Sequence, residues 1–441
     1  LQKIINSNRV IELFISSFLF FLLLIQVSKE CLRMHGESEF VSVKISELNH
    51  CHGDNNILSN EGELEKVSFC FKVPLLSGKL KNNTNDLIHC TKQAQLVIND
   101  FLTSLNSKDL EDVKNINICI HGFPYSQTEC QYSASHWSAG RCQPYEMLKK
   151  FYEWTTVAIP NDALIRKQSF PFDCTDKRRS YVEIFEHLQK SSTATLFYIH
   201  GGFWQVESVF HKLNKCSYYY YYSFLFKEGT SQINGEAIYD LIDEQIRFAT
   251  LEYRMAPMVT MQEIVNDVIQ GVLLLVELSN SKYGSAPIYV VGHSAGAHLI
   301  CMALSKIKNE QLSLIRGIVL LSGVYNLQPL VKSYIGNAVR LTEEMALQYS
   351  PIFETQILPQ MNDNSMPNLK VLLIVGENES DAFKDQTNSM YNHLLREVST
   401  RNGAIIISKH VAPAEDHLSL VQSLSNSQSW LRKLLKECME S

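Results

Sequence analysis

The stretch "IYVVGHSAGAHLI", Ile288 to Ile300, places Gly292, Ser294 and Gly296 as Gly-x-Ser-x-Gly after an apolar β-rich run and before a helical pattern. A serine hydroxyl held up at such a corner is a candidate nucleophile for attack on a carbonyl carbon. With glycine and serine each near 7%, the bare pattern arises by accident in roughly one chain in seven of this length. Its weight therefore comes from its place between strand and helix. The competing reading is a tight turn whose glycines serve close packing.

Attack on a carbonyl creates an oxyanion, which needs backbone N–H groups aimed at the place where the charge develops. One donor is expected from Ala295, the residue after the nucleophile. The others are expected from "LFYIHGGFWQ", residues 196–205, where Gly201 and Gly202 let the backbone approach without Cβ obstruction. Taken alone, His200-Gly201-Gly202 is also consistent with a plain strand-ending turn. Phe203 and Trp204 follow at once, and with His200 they are candidates for the wall of a substrate pocket; core packing is the alternative for either aromatic.

A base and an acid should complete the set, in the chain order serine, acid, histidine. "HVAPAEDHLSL" offers His410 and His417; His417 is preferred because it stands in a polar loop before the terminal helix, whereas His410 ends a strand. The loop "ENESDAF" supplies Glu377, Glu379 and Asp381 as acids. Glu379, three residues beyond Gly376, has the usual spacing for this loop, and Asp381 is the alternative.

These residues must be held at the ends of strands. Short β-rich runs occur at 181–187, 194–199, 246–253, 286–291, 315–323, 369–376 and 404–408. Helical patterns lie between them, among them Pro144 to Ala158, 261–279 and a closing helix over 418–437. Continuous apolar strands alternating with helices predict an α/β class, a mostly parallel central sheet covered by helices on both faces. Sites in such sheets lie beyond the carboxyl ends of the strands.

The remainder of the chain reads differently. An apolar run from Leu13 to Val27 follows Lys3 and Arg9, so residues 1–30 form an apolar leader: a signal peptide, an anchor or a fragment artefact. Residues 31–131 carry Cys31, Cys51, Cys70, Cys90, Cys119 and Cys130, an even set that behind a leader suggests secreted disulfides, and no chemical motif. "NHCHGD" around Cys51 is too sparse for a zinc site, and Asn82 is a glycosylation acceptor only in an exported chain. Residues 132–441 form the catalytic domain, interrupted at about 206–232 by an insertion with five consecutive tyrosines, Tyr218 to Tyr222, that fits neither helix nor strand. With 40 Lys and Arg against 46 Asp and Glu and a net charge of -6, the chain lacks the basic excess that binds a phosphate backbone, so no nucleic-acid partner is expected.

From about Tyr132 onward the chain resembles the kynurenine formamidase (arylformamidase) family of serine hydrolases, which implies the α/β-hydrolase fold. The resemblance rests on "HGGFW" (200–204), "GHSAGAHL" (292–299), "SGVYNLQPL" (322–330), "YSP" (349–351) and "QYSASHW" ahead of the core. Trp204 separates this family from lipase-like esterases, which usually carry another residue there. The resemblance implies Ser294 as nucleophile, His417 as base and an acid where the family has aspartate; Glu379 occupies that position here. It further implies hydrolysis of N-formyl-L-kynurenine to L-kynurenine and formate in tryptophan breakdown, with no metal or other cofactor. The expected partner is then a small aryl formamide. A homodimer and membrane association through the leader are left open. The implied compartment is the cytosol, whereas the leader, if genuine, implies export or an anchor. A general carboxylesterase with the same three residues and a non-catalytic binding protein of the same fold are the competing functions.

Overall fold

The computed structural model describes residues 36–45, 69–77, 126–137, 144–160, 162–172, 180–205, 233–359, 369–399 and 405–440. The chain divides into two compact units, Leu1–Tyr125 and Ser126–Ser441. The first contains strands β1 (Gly36–Ile45) and β2 (Phe69–Ser77), paired antiparallel from Val41 opposite Val73 out to Ile45 opposite Phe69. The leader, the His50-Cys51-His52 cluster, Asn82 and the tyrosine run all lie outside the described residues.

The second unit begins with α1 (Gln127–Tyr132) and α2 (Pro144–Thr155), then β3 (Ile165–Pro171), β4 (Tyr181–His187) and β5 (Ala194–Ile199). It continues through α3 (Gly235–Asp243), β6 (Ile246–Glu252), α4 (Met261–Lys282), β7 (Ile288–His293), α5 (Ala295–Leu304) and β8 (Ile315–Leu321). The short helices α6 (Tyr334–Ala338) and α7 (Glu343–Gln348) precede β9 (Leu369–Gly376), α8 (Asp381–Ser399), β10 (Ile405–Ala412), α9 (His417–Gln422) and α10 (Trp430–Glu440).

Eight strands form one sheet in the order β10-β9-β8-β7-β5-β6-β4-β3. All pairings from β10 to β6 are parallel, and β4 runs antiparallel to both of its neighbours, β3 and β6. This is the mostly parallel, two-sided sheet the sequence predicts. Successive residues of each central strand enter opposite cores. Ile288 and Val290 of β7 join one apolar cluster with Ile264 of α4, Leu299 of α5 and Phe383 of α8. Tyr289 and Val291 join the other, with Phe151 of α2, Leu241 of α3, Leu418 of α9 and Leu435 of α10. Burial of both faces explains why these strands read as continuous apolar runs.

The strand order reverses at β5, which pairs with β6 on one side and β7 on the other. A crevice opens at such a switch point beyond the carboxyl ends of the two strands. Gly201 leaves β5 there and Ser294 leaves β7 there.

Two elements differ from the expectation. Strand β3, "IRKQSFP", is an additional edge strand: its mixed exposure and its Arg166 and Lys167, paired with Glu186 and Glu183 of β4, hide the alternation that marks a strand. The closing helix is broken. α9 passes into a 3-10 turn over Ser423–Ser425, and Ser429 then caps a new helix by accepting from the Arg432 N–H at 3.1 Å. The polar run "SLSNSQS" competes for the backbone and permits the break. Among the described residues, no helix is long and apolar enough to cross a membrane.

Candidate active site

Ser294 occupies the corner between β7 and α5 with φ 55° and ψ -118°. Such a left-handed conformation costs a non-glycine residue roughly 1–3 kcal/mol and persists only when its surroundings over-determine it. Here they do. The Ser294 N–H donates to the Leu321 carbonyl at 2.8 Å, and its own carbonyl accepts from Ala297 and His298 of α5. Gly296 brings the first turn of α5 against β5: a Cβ at Gly296 would lie 2.1 Å from the Ile199 carbonyl oxygen. Ala295, as the first residue of α5, has an N–H with no acceptor inside the helix, at the helix end that attracts negative charge.

The acid is Glu379. One of its carboxylate oxygens, Oε2, lies 2.6 Å from His417 Nδ1. The other, Oε1, accepts from the Gly376 N–H at 2.7 Å and from the Ser322 hydroxyl. Glu379 is 2% exposed. Asp381 is exposed and opens α8, and Glu377 accepts from the Ala414 N–H at 2.7 Å, so neither reaches the imidazole.

His417 is the first residue of α9, fixed by Asp416, whose carboxylate accepts from the Leu418 and Ser419 N–H groups at 3.0 and 2.8 Å. A carboxylate can only accept, so Nδ1 carries the proton and Nε2 keeps the lone pair that a general base requires. The Phe383 ring packs 4.3 Å from the imidazole, and Tyr132 packs on Phe383 in turn. His410 points elsewhere, lying within β10 against Trp430 and Ser408.

Ser294 and His417 share a neighbour. His293, directly before Ser294, donates from Nε2 to the His417 carbonyl at 2.8 Å, and the two rings lie 4.8 Å apart. Among the described residues, no hydrogen bond joins Ser294 Oγ to His417 Nε2 in this conformation. Catalytic hydrogen bonds of this kind are often long until substrate is bound.

Opposite the serine stands the β5 loop. A Cβ at Gly201 would lie 2.9 Å from both Ser294 Cβ and the His293 carbonyl oxygen, so only glycine allows this approach. Gly202, Phe203 and Trp204 then all take positive φ, at 105°, 52° and 62°. Two successive bulky residues in this region are held there by Trp204, which is fully buried. Its Nε1–H donates to His298 Nδ1 at 3.0 Å and its carbonyl accepts from Ala256 at 2.7 Å. His298 in turn donates from Nε2 to the Tyr349 carbonyl at 2.7 Å.

This arrangement corrects two pocket assignments. Trp204 anchors the loop to α5 from within the core. His200 is also fully buried, with its Nδ1–H donating to the Gly201 carbonyl at 2.8 Å and its ring stacked on Tyr253. Neither lines an open surface: the positive-φ turn over Gly202 to Trp204 directs the Trp204 side chain inward, and His200 is buried directly after the end of β5. Phe203 alone of the three remains partly exposed.

Burial lowers the pKa of His200 and of His298 to about 4 and holds that of His293 well below its ordinary value. All three are therefore neutral donors and acceptors at neutral pH. Among the described residues, no cluster of three or more His, Cys, Asp or Glu side chains is placed to share a metal ion.

Three contributors escaped the sequence reading: Ser322, His293 and His298. Ser322 follows the end of β8, a position at which a polar residue faces the crevice, and that was its available signal. The two histidines lie inside "GHSAGAHL" and carry no separate mark of their contacts.

The family that part of the chain matches agrees with this architecture. A family model described as α/β hydrolase fold matches residues 243–403. The kynurenine formamidase of Salmo salar is 29% identical over 247 residues, covering 55% of this chain and 72% of that protein. The kynurenine formamidase of Danio rerio is 25% identical over 312 residues, covering 70% and 94%. A solved arylesterase structure superimposes with a TM-score of 0.45 at 14% identity, over 72% of this chain and all of that one. The chain is a hydrolase of the α/β-hydrolase fold, related to the kynurenine formamidases.

Proposed function

We propose that the chain hydrolyses N-formyl-L-kynurenine to L-kynurenine and formate, with Ser294, His417 and Glu379 as its triad. The observation that carries this reading is the buried His417–Glu379 pair at 2.6 Å, tied through His293 to the corner that holds Ser294. As Ser294 Oγ bonds to the formyl carbon, its proton passes to His417 Nε2 and the carbonyl π pair moves onto oxygen. The N–H groups of Gly201, Gly202 and Ala295 receive that oxyanion. Collapse breaks the C–N bond while His417 returns its proton to the departing aryl nitrogen, leaving a formyl ester on Ser294. Water then adds to the ester as His417 takes its proton. Formate leaves as Oγ recovers a proton, and Glu379 stays a carboxylate throughout.

An aryl amine departs more readily than an alkyl amine, because its lone pair delocalises into a ring that bears an ortho carbonyl. Formyl is also the smallest acyl group, and Phe203, partly exposed beside the oxyanion loop, is positioned to restrict larger ones. The substrate is thus the one small-molecule partner proposed. Residues 132–441 are assigned to the catalytic domain. The compartment that goes with this reading is the cytosol.

The test is turnover of N-formyl-L-kynurenine by the purified chain, followed as formate release, beside a short-chain aryl ester. Formamide hydrolysis that is abolished in Ser294→Ala supports the proposal. Efficient ester turnover with negligible formamide hydrolysis assigns the chain to general carboxylesterases instead.

A further inference from the structure

Tyr253 lies just past the end of β6 and is 1% exposed, in none of the roles described above. Its hydroxyl donates to the His200 carbonyl at 2.9 Å and lies 3.3 Å from the Gly201 carbonyl. The Gly201 carbonyl also accepts from His200 Nδ1 at 2.8 Å, and the His200 and Tyr253 rings stack 4.4 Å apart, 14° from parallel. Two successive carbonyls at the end of β5 are therefore drawn to the same hydroxyl.

A trans peptide holds its C=O and N–H in opposite directions within one plane. The peptides 200–201 and 201–202 are both trans. Carbonyls turned toward Tyr253 therefore turn the N–H groups of Gly201 and Gly202 away from it, in a loop whose Gly201 already abuts Ser294. No intrinsic preference supplies this orientation, since glycine rotates freely and leaves the peptide planes undetermined. Preorganisation of the donors is what makes such a hole effective, because no reorganisation is then needed as charge develops.

We propose that Tyr253 is a positioning residue of the oxyanion hole: its hydroxyl clamps the His200 and Gly201 carbonyls and so aims the Gly201 and Gly202 amides at the tetrahedral intermediate. The proposal rests on the hydrolase reading above. Tyr253 touches no reacting atom. Its effect passes through two peptide planes and is felt when the carbonyl oxygen becomes anionic, more than when substrate first binds.

Tyr253→Phe is the direct test, since it keeps the stacked ring and removes only the hydroxyl. Rates are normalised to Ser294 sites titrated with a fluorophosphonate, which separates loss of folded protein from loss of rate. The formamide and an aryl acetate are both assayed. Affinity is also measured for an aryl boronic acid, which adds to the serine as a tetrahedral adduct. The expected result is a kcat lower by roughly ten- to one-hundred-fold, somewhat less than deletion of a whole oxyanion donor. KM should stay within about twofold, and boronate affinity should fall by the same factor as kcat. An unchanged kcat per titrated site, or a loss confined to KM, overturns the proposal. Ester turnover without formamide turnover in the wild type removes the proposed substrate but leaves the Tyr253 comparison readable on the ester. A wild-type chain that neither reacts with fluorophosphonate nor turns over either substrate overturns both readings.

Discussion

The Ser322 hydroxyl and the Gly376 amide both donate to Glu379 Oε1, leaving Oε2 to His417 Nδ1 at 2.6 Å. The carboxylate is thus held by strand ends β8 and β9 before it meets the imidazole. Its geometry separates it from the exposed Asp381, two residues on. Glu379→Gln should lower kcat by about 10³- to 10⁴-fold, because an amide cannot hold the imidazole in the productive tautomer. Asp381→Asn should leave kcat within about twofold. Ser322→Ala should fall between them, at roughly tenfold. Steady-state kinetics of the three variants checks the order, and a larger loss from Asp381→Asn than from Glu379→Gln reverses the assignment.

Ser294 combines its proposed role as nucleophile with backbone strain. Ser294→Ala should abolish formate release and leave the fold intact. Ser294→Gly should also be inactive but should raise the unfolding free energy by about 1 kcal/mol, since glycine accepts φ 55° without the penalty serine carries. Urea denaturation compares the two variants. Equal or lower stability of the glycine variant shows that the corner is not strained.

Trp204 Nε1 and His298 Nδ1 lie 3.0 Å apart in the core. Trp204→Phe removes the donor and leaves a buried acceptor without a partner, at a cost of roughly 1–3 kcal/mol. It also frees the oxyanion loop, so kcat should fall more than KM rises. Calorimetry and kinetics together check this; a loss of KM alone returns Trp204 to the substrate pocket.

His200 and His298 titrate near pH 4 in the folded chain because burial disfavours their charged forms. Unfolded, each titrates near 6.5. Above pH 6.5 both states are neutral and neither histidine makes stability depend on pH. As pH falls toward 4, the unfolded chain gains protons that the folded chain refuses, so stability is lost through this window by about 1.4 kcal/mol per pH unit for each residue. His298→Asn should reduce the slope by about one proton. Unfolding free energies at pH 7, 6, 5 and 4.5 check it, and an unchanged slope in the variant contradicts the assignment.

Much of the candidate site was legible in the sequence, because its chemistry is local. The corner at Ser294 is built from neighbours in sequence: apolar β7 before it, α5 after it, glycines where Cβ atoms would collide. The paired glycines after β5, the choice of Glu379 by its spacing from Gly376, and His417 ahead of a helix all follow from short patterns whose physical purpose is known. The alternation of buried strands and amphipathic helices fixes the α/β class for the same reason, since both periods are written in consecutive residues.

Only the tertiary structure decided which side chains serve the site from the core. Trp204 reads as a pocket wall beside a glycine pair, yet positive φ at three successive residues turns it inward onto His298, 94 positions away. Ser322 meets Glu379 across 57 positions, and Tyr253 meets Gly201 across 52. Edge strand β3 escaped the reading because its pairing with β4 is laced with charge, and the closing helix broke at a cap that its apolar spacing conceals. A sequence displays the periodicity of each element. Which carbonyl a buried hydroxyl or imidazole will find depends on how elements far apart in the chain pack, and no local pattern encodes that.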